Sequence, residues 1–314
     1  MDLTIGVDVG GTKIAAGVVD ASGRLLAKVR VSTPATTAED VEEAIVEAVR
    51  WLLIDHDVSA IGLAVPGFVD EKRSMLRFTP NLPMVDRPLR DLVGARVGRP
   101  VVVENDANAA AWGEHRFGGG RRVPDMVLVT VGTGLGGGIV FGGSLVRGAF
   151  GVAAEIGHMR VVPGGLPCGC GNHGCWEQYC AGRALVRRAQ ALCREDAVAG
   201  AALLELAGQD ADALTGSMVA RAAFAGDQAA VGLFADVGRW LGEGIALLAA
   251  VLDPAVVVVG GGVAEAGDVL LDPARQAYAA ALSAGSHRPH LEIMPAVLGN
   301  DAGLIGAADL ARLP

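Results

Sequence analysis

The segment from Cys168 to Cys175 contains the residues whose chemistry is easiest to infer from the sequence. It reads CGCGNHGC, so three thiols are interleaved with glycines on a short loop. Thiolates at this spacing are typical ligands of Zn²⁺, and a site closed by four protein ligands is structural rather than catalytic. The spacing leaves the fourth ligand open, and the candidates are Cys180, His173 and His158.

A second set of polar residues follows the apolar run Val101–Val103. Glu104, Asn105 and Asp106 stand where a predicted strand ends and a predicted helix begins, and aspartate is also a favoured helix N-cap. A carboxylate that faces a ligand at such a junction can accept the proton of a substrate hydroxyl, as phosphoryl transfer to an alcohol requires. The sequence by itself leaves the choice between Glu104 and Asp106 open.

Two glycine turns, Gly10–Thr12 and Gly132–Gly137, each lie between predicted strands. Backbone amides in such turns bind phosphate because no side chain blocks them. Asp8 and Lys13 flank the first turn, where a carboxylate can hold hydrated Mg²⁺ and an ammonium can meet phosphate oxygens. The second turn fits the pattern G-x-G-x-x-G, but a strand rather than a helix is predicted after it, which argues against a Rossmann site. The two turns favour a nucleotide held between two lobes.

The elements that must position these residues follow a repeating order. Strand, glycine turn and strand occur at the start of the chain and again after a segment rich in glycine and arginine, Gly118–Arg122, which predicts a duplicated α/β architecture. The predicted strands are Leu3–Val9, Lys13–Val19, Leu25–Val31, Ser59–Val65, Pro100–Val103, Met126–Val131, Gly138–Phe141 and Val256–Val259. The predicted helices include Glu39–Asp55, Leu89–Val97, a helix opened by Glu104–Asp106 that runs through Ala107 to Arg116, and Asp301–Leu313.

The composition describes a compact protein with well-buried cores. The chain of 314 residues is long enough for two domains, and its 51% hydrophobic and 19% charged residues exclude a disordered protein. The net charge of -9 argues against a general nucleic-acid surface, and no apolar run reaches membrane-spanning length. The first residues lack the basic head and apolar core of a signal peptide, so we expect a cytoplasmic protein whose five cysteines are reduced or bind metal.

Taken together, these motifs resemble the ROK family, which is named for its repressors, open reading frames and kinases, and most closely its bacterial ATP-dependent glucokinases. The resemblance runs nearly from end to end. It rests on DVGGTK at 8–13, ENDAN at 104–108, GTGLGGG at 132–138, EIGH at 155–158, CGCGNHGCWE at 168–177 and GGG at 260–262.

The resemblance implies a fold and a division into lobes. The implied fold is α/β and two-lobed, an actin-like ATPase fold of the hexokinase and Hsp70 type with a zinc knuckle and a cleft between the lobes. The small lobe would span residues 1–117, and the last helix, within 301–314, would return to it. The large lobe, residues 118–300, would carry the zinc-binding loop.

The resemblance also implies a role for each matching residue. Asp106 would be the base, which decides the choice left open above, and the zinc ligands would be His158, Cys168, Cys170 and Cys175. The residues implied to bind sugar are Gly67, Asn81, Asn105, Asp106, Glu155, His158 and Glu177. The residues implied to bind ATP, with Mg²⁺ at the phosphates, are Asp8, Gly10, Gly11, Thr12, Lys13, Thr133, Gly134 and Gly261.

The resulting hypothesis is that the protein transfers the γ-phosphoryl of ATP to the 6-hydroxyl of glucose. One alternative is a kinase for another hexose, such as N-acetylmannosamine, N-acetylglucosamine or fructose, and another is a sugar sensor without catalytic activity. The first predicted strand begins at residue 3, which leaves no room before it for the DNA-binding segment of the family's repressors. The sequence leaves polyphosphate open as a donor, and the family's habit favours a homodimer or homotetramer.

Overall fold

The computed structural model describes residues 2–34 and 36–313, which form two compact units. The first unit contains the described residues up to Leu128, the segment Gly137–Ala154 and the described residues from Ala296 onward. The second unit contains Val129–Gly136 and Glu155–Pro295. The lobe boundary that the sequence places between residues 117 and 118 stays a prediction, and residues 1, 35 and 314 of the predicted lobes lie outside the described part of the chain.

The described residues form both strands and α-helices, and none of these helices is both long enough and apolar enough to cross a membrane. The strands are β1 (Thr4–Val9), β2 (Lys13–Val19), β3 (Leu25–Ser32), β4 (Ala60–Val65), β5 (Phe68–Val69), β6 (Leu76–Phe78), β7 (Val85–Arg87), β8 (Val101–Asn105), β9 (Met126–Val131), β10 (Leu135–Phe141), β11 (Ser144–Leu145), β12 (Val256–Gly260) and β13 (Glu292–Pro295). The helices are α1 (Ala38–Leu53), α2 (Leu89–Val97), α3 (Asp106–Phe117), α4 (Glu177–Cys180), α5 (Gly182–Glu195), α6 (Ala201–Leu206), α7 (Gly216–Phe224), α8 (Gln228–Leu252), α9 (Asp268–Ala281) and α10 (Ala302–Leu310).

The first unit is built on a five-stranded sheet in the order β3–β2–β1–β4–β8. The predicted meander forms its first three strands, and β1, β4 and β8 run parallel to one another. Because the carboxyl ends of parallel strands meet at one edge of a sheet, the residues at the ends of β1, β4 and β8 are brought to the same edge. Asp8 and Glu104 both pair with Ala64, from the two sides of β4.

Helices α1 and α10 pack against this sheet. Ile5 shares a core with the apolar face of α1, and its neighbour Gly6 points the opposite way because side chains alternate along a strand. A Cβ atom on Gly6 would lie 1.9 Å from the backbone oxygen of Leu304, and one on Gly62 would lie 1.9 Å from that of Ala307. The glycines in the middle of β1 and β4 are therefore required by the close approach of α10.

The second five-stranded sheet has the order β11–β10–β9–β12–β13, and the boundary between the two units passes through β9 and β10. The predicted glycine turn at Gly132–Gly137 is too long, since β10 begins at Leu135 rather than Gly138. Packing explains a glycine within this strand, because a Cβ atom on Gly138 would lie 2.4 Å from the Cβ atom of Ala111 in α3. Gly138, in the predicted strand, therefore marks a close contact with helix α3.

A third sheet of three short strands, in the order β5–β6–β7, forms in a proline-rich passage for which no strand is predicted. Its strands contain only two or three residues each, so they carry no periodic pattern that could be recognised in the sequence. Gly67, immediately before β5, has φ +112°, and a Cβ atom there would lie 2.0 Å from the backbone oxygen of Phe78. The hairpin can therefore form only with glycine at this position.

Candidate functional site

The predicted site residues fall into two groups, one in each unit, and each group is described by itself. The group in the first unit consists of Asp8, Gly10, Gly11, Thr12, Lys13, Gly67, Asn81, Asn105 and Asp106. The group in the second unit consists of Thr133, Gly134, Glu155, His158, Cys168, Cys170, Cys175, Glu177 and Gly261.

The junction between β8 and α3 carries the two carboxylates that the sequence leaves unranked. Glu104 is 1% exposed, and its Oε1 accepts hydrogen bonds from the backbone N–H of Asn105 at 3.0 Å and from Nδ2 of Asn108 at 3.2 Å. Its Oε2 faces two guanidinium groups. A carboxylate that is buried and already paired with two cations is out of reach of a substrate hydroxyl. Glu104 is therefore a structural group.

Asp106 is the first residue of α3 and is half-buried. Its Oδ1 accepts a hydrogen bond from the backbone N–H of Ala107 at 2.9 Å. The N-cap role that the sequence allows for aspartate belongs instead to Asn105, whose Oδ1 accepts from the backbone N–H of Asn108 at 3.0 Å. The positive end of the α3 dipole lies at this junction and stabilises an anion there.

Asn105 also links the junction to the neighbouring strand. Its Nδ2 donates to the backbone oxygen of Gly67 at 3.0 Å, which places the end of β8 beside the turn after β4. A Cβ atom on Gly11, in the first glycine turn, would lie 3.6 Å from Asn81. The structure thus brings Gly67 next to Asn105, and Gly11 next to Asn81.

The first glycine turn is a tight hairpin between β1 and β2. The backbone N–H of Gly10 donates to the backbone oxygen of Lys13 at 2.9 Å, and the hydroxyl of Thr33 donates to the oxygen of Gly10 at 2.6 Å. The backbone oxygen of Thr12 accepts from the N–H of Thr33 at 3.1 Å. The turn is therefore held by β3 as well as by its own strands, and the side chain of Lys13 remains exposed.

Asp8 lies near the carboxyl end of β1 in a partly cationic setting. The pKa of its carboxyl is raised from 3.8 to about 6, mainly by burial; Lys13 and Lys28 lower this pKa, and Asp301 raises it. Lys28 forms an ion pair with Asp301. A Cβ atom on Gly303 would lie 3.6 Å from the Asp8 carboxyl, in ordinary contact with it. A carboxylate oxygen of this kind suits Mg²⁺, which prefers hard oxygen ligands.

The second unit contains the predicted cluster of thiols and imidazole. One ligand atom from each of His158, Cys168, Cys170 and Cys175 lies within 4.8 Å of all the others, so these four residues could hold a metal ion. The Sγ atom of Cys168 is 3.7 Å from Nδ1 of His158, and the Sγ atoms of Cys170 and Cys175 are 3.7 Å apart. Three cysteines and one histidine form the donor set typical of a structural zinc site.

The two other candidates for the fourth ligand lie outside this cluster. Cys180 is buried in α4 and donates its S–H to the backbone oxygen of Trp176 at 3.5 Å. His173 is exposed and forms a backbone bridge with Pro167. Gly174 shapes the loop, because it has φ +79° and a Cβ atom there would lie 1.6 Å from the backbone oxygen of Val162. This crowding explains a glycine immediately before Cys175.

Two predicted sugar-binding residues, Glu155 and Glu177, lie beside the cluster in the second unit, and a third, His158, is part of it. Glu155 precedes the short 3₁₀ turn Ile156–His158, and its Oε2 lies 3.9 Å from Nε2 of His158. Burial raises the pKa of Glu155, His158 lowers it, and the nearby carboxylate of Glu177 raises it. Glu177 accepts a hydrogen bond from Sγ of Cys168 at 3.1 Å. His158 therefore directs Nδ1 toward the thiols and Nε2 toward a carboxylate.

Glu177 connects the cysteine cluster with the second glycine turn. A Cβ atom on Gly134 would lie 2.9 Å from Oε2 of Glu177, so the absence of a side chain at Gly134 lets the carboxylate approach the turn. The turn itself is fixed by α5, because the backbone N–H of Gly182 donates to the oxygen of Gly132 at 2.8 Å. The N–H of Arg183 donates to the oxygen of Thr133 at 3.4 Å.

A cavity of about 950 Å³ opens beside this turn in the second unit. Its volume lies within the range of small-molecule sites. Gly261, at the end of β12, has φ +88°, and a Cβ atom there would lie 2.6 Å from the backbone oxygen of Val131, next to residues that line the cavity. Thr133, which is predicted to bind ATP, lines this cavity. The sequence does not predict the lining residues on helical segments, which include Arg183, Gln190, Ser217, Ala220, Phe224 and Glu265.

Comparison with known proteins places the chain in a family. The model of the ROK family matches residues 4–313, and the chain belongs to this family. It is 50% identical over 314 residues to a glucokinase of Streptomyces coelicolor, covering 100% of this chain and 99% of that protein.

Two solved structures have the same fold. A ROK glucokinase from Streptomyces griseus, in complex with glucose and AMPPNP, is 53% identical with a TM-score of 0.90, covering 99% of both chains. A ROK hexokinase from Thermus thermophilus is 39% identical with a TM-score of 0.79, covering 98% of this chain and 97% of that one. The expected fold class, an actin-like α/β fold with a cysteine and histidine knuckle, and the resemblance to ROK kinases are both confirmed.

Proposed function

We propose that the protein is an ATP-dependent glucokinase, which transfers the γ-phosphoryl group of ATP to the 6-hydroxyl of glucose and releases glucose 6-phosphate and ADP. The observation that carries the proposal is the end-to-end likeness to the Streptomyces griseus glucokinase, whose structure contains glucose and AMPPNP. The geometry of each unit supports it, because each supplies a group of residues suited to one part of this reaction.

In the first unit, Asp106 accepts the proton of the attacking hydroxyl. Phosphoryl transfer needs little covalent help from the protein, so positioning and charge neutralisation supply most of the rate. Asn105, Gly67 and Asn81 hold the sugar beside the base. This role suits Asn105, whose amide is already oriented by its bond to the Gly67 oxygen.

The phosphates of ATP bind at the glycine turns. Backbone amides of Gly10, Gly11 and Thr12, together with the ammonium of Lys13, meet phosphate oxygens in the first unit. When bound, Mg²⁺ neutralises charge on the transferring phosphoryl group, and Asp8 is the residue that would hold it.

In the second unit, Thr133 and Gly134 meet the phosphates. The adenosine occupies the cavity whose wall includes Thr133 and which adjoins Gly261. This assignment is supported by the volume of the cavity and by its position beside a glycine turn.

The remaining sugar hydroxyls bind to Glu155, His158 and Glu177 in the second unit. Their positions are set by the cysteine cluster, in which we place one Zn²⁺ held by His158, Cys168, Cys170 and Cys175. Bound zinc would stabilise the loop, and it would fix the ring of His158 so that Nε2 can face the sugar.

A sugar panel tests the reaction. ADP release is measured with glucose, fructose, N-acetylglucosamine and N-acetylmannosamine, each with ATP and with polyphosphate as donor. We expect glucose with ATP to give the highest kcat/KM. A panel led by N-acetylmannosamine would favour the kinase for another hexose, and sugar binding without ADP release would favour the sensor.

Asp106→Asn tests the base. We expect kcat to fall at least ~10²-fold while glucose binding, measured by calorimetry, is kept. Asp91→Asn is the matched control, because Asp91 is an exposed aspartate in the first turn of α2. A kcat for Asp106→Asn within a few-fold of wild type would remove Asp106 from this role. The cytoplasmic location and a dimer or tetramer stay predictions.

A further inference from the structure

Three segments of the first unit meet at the side chain of Glu104. Its Oε2 lies 2.7 Å from Nε of Arg147, in the loop after β11, and 3.2 Å from Nε of Arg73, in the turn between β5 and β6. The side chains of Glu104 and Arg147 are only 1% and 11% exposed. The pair between Glu104 and Arg147 is therefore shielded from water, so removing one partner would leave an uncompensated buried charge.

Arg147 extends the contact to the backbone of the hairpin. Its Nη1 donates to the backbone oxygen of Glu71 at 2.9 Å, and its Nη2 donates to that of Asp70 at 2.8 Å. A Cβ atom on Gly151, four residues further along the loop, would lie 2.3 Å from the backbone oxygen of Val69. The loop thus packs closely on the hairpin at two points.

Arg73 fixes the other side of the same hairpin. Its backbone oxygen accepts from the N–H of Val103 in β8 at 3.1 Å, and its φ of +53° is an unusual conformation for arginine. Asp70, 6% exposed, closes the turn by accepting from the backbone N–H groups of Ser74 and Met75. The turn is therefore rigid and is tied to β8 through both backbone and side chain.

Two of the segments that meet Glu104 continue along the chain into residues assigned above to sugar binding in the first unit. β8 continues into Asn105 and Asp106, and the hairpin is flanked by Gly67 and Asn81. We propose that Glu104, Arg73 and Arg147 form a positioning hub that sets these two sugar-binding segments of the first unit relative to one another and so determines sugar affinity. The inference rests on the proposed function, since it takes the sugar residues from there.

The hub acts on the sugar through other residues, so its effect is expected on sugar binding. Glu104→Gln keeps the shape of the side chain but leaves two buried guanidinium groups without their carboxylate. Arg147→Lys keeps a cation near Glu104 but loses the paired bonds to the hairpin backbone. Small displacements of positioning groups have large kinetic effects, so we expect Glu104→Gln to raise KM for the sugar about tenfold or more.

The experiment compares KM for sugar and KM for ATP in wild type, Glu104→Gln and Arg147→Lys. We expect the sugar KM to rise in both variants, less in Arg147→Lys, while the ATP KM stays within about twofold of wild type. Glu42→Gln is the matched control, because Glu42 is 4% exposed and paired with the fork of Arg87. It should lower the thermal unfolding temperature without raising the sugar KM.

The outcomes separate this inference from the proposed function. The sugar used is the one with the highest kcat/KM for wild type, so a preference for another sugar would contradict the glucokinase proposal and still test the hub. Calorimetric sugar binding gives the same comparison if turnover is absent. A fall in kcat with unchanged sugar KM and unchanged sugar affinity, in proportion to loss of folded protein, would overturn the hub. So would an Arg147→Lys variant with wild-type sugar affinity.

Discussion

Replacing Asp8 by asparagine should stabilise the protein at neutral pH while impairing its reaction. Burial raises the pKa of Asp8 from 3.8 to about 6, so the folded state holds the charged form less readily than the unfolded state does. As pH rises from about 4 to about 6, the unfolded state ionises first and the folded state loses stability relative to it. Asparagine has a similar shape and carries no charge, so the variant should not lose folding stability over this pH range as the wild type does.

The magnitude follows from the difference between the two pKa values. A shift from 3.8 to about 6 corresponds to about 3 kcal/mol at pH 7.5, because each unit is worth about 1.4 kcal/mol. At pH 4.5 most of the difference has gone, and about 1 kcal/mol remains. The gain in the free energy of unfolding from Asp8→Asn should therefore grow from about 1 to about 3 kcal/mol across this range.

Urea unfolding at pH 4.5, 5.5, 6.5 and 7.5, without ATP or Mg²⁺, measures this gain. Asp20→Asn is the control of opposite sign, because hydrogen bonds, above all from the Ser22 hydroxyl, lower the pKa of Asp20 to about 2. That variant should be less stable than wild type by a nearly constant amount across this range, because the stability that Asp20 contributes is lost only as pH falls from about 4 to about 2. A gain from Asp8→Asn that is flat across the range would refute the claim that burial of the charge is the cause. The same pKa predicts that kcat/KM for ATP falls below about pH 6.

Three other predictions concern the second unit. Wild type should contain about one zinc per chain by elemental analysis, and Cys175→Ala should lose this zinc and unfold at a lower temperature. Cys193→Ala is the control, because Cys193 is a buried cysteine outside the cluster, and this variant should keep the zinc. Gly261→Ala should destabilise the fold and raise KM for ATP because of its positive φ and a close backbone oxygen. Gly232→Ala, in α8 and outside the cavity wall, where a Cβ atom would meet no atom within 4 Å, should do neither; equal effects would contradict this reading. Phe224→Ala should raise KM for ATP several-fold and leave the glucose KM unchanged, as measured by steady-state kinetics, and an unchanged ATP KM would place the adenosine elsewhere.

Features that depend on residues close in sequence could be predicted. The cysteine cluster is one, because Cys168, Cys170 and Cys175 are placed by a single loop. The junction at Asn105 and Asp106 is a second such feature, because an apolar strand followed by capping residues predicts the start of a helix. The resemblance to ROK proteins identified His158 as the fourth member of the cluster, which spacing could not do.

Features that depend on packing between distant segments could not be predicted. Gly138 lies in a predicted strand, but nothing local shows that glycine is required there by the contact with Ala111 in α3. The arginines that neutralise Glu104 lie 31 and 43 positions away from it, and nothing local marks them as its partners. The cavity wall is assembled from residues on α5 and α7, such as Arg183 and Phe224, whose sequences have only the ordinary pattern of partly exposed helices.

The change from strand to helix at Asn105 is what gives two nearby carboxylates different roles. Two residues separated by one position in a strand would share a face and hence an environment. Because β8 ends at Asn105, Glu104 belongs to the strand and is buried against two arginines, while Asp106 opens α3 and is half-buried. A base must be reachable by the hydroxyl that it deprotonates. Glu104 is excluded by burial, so the position of the helix start, rather than the identity of either residue, decides which carboxylate can act as the base.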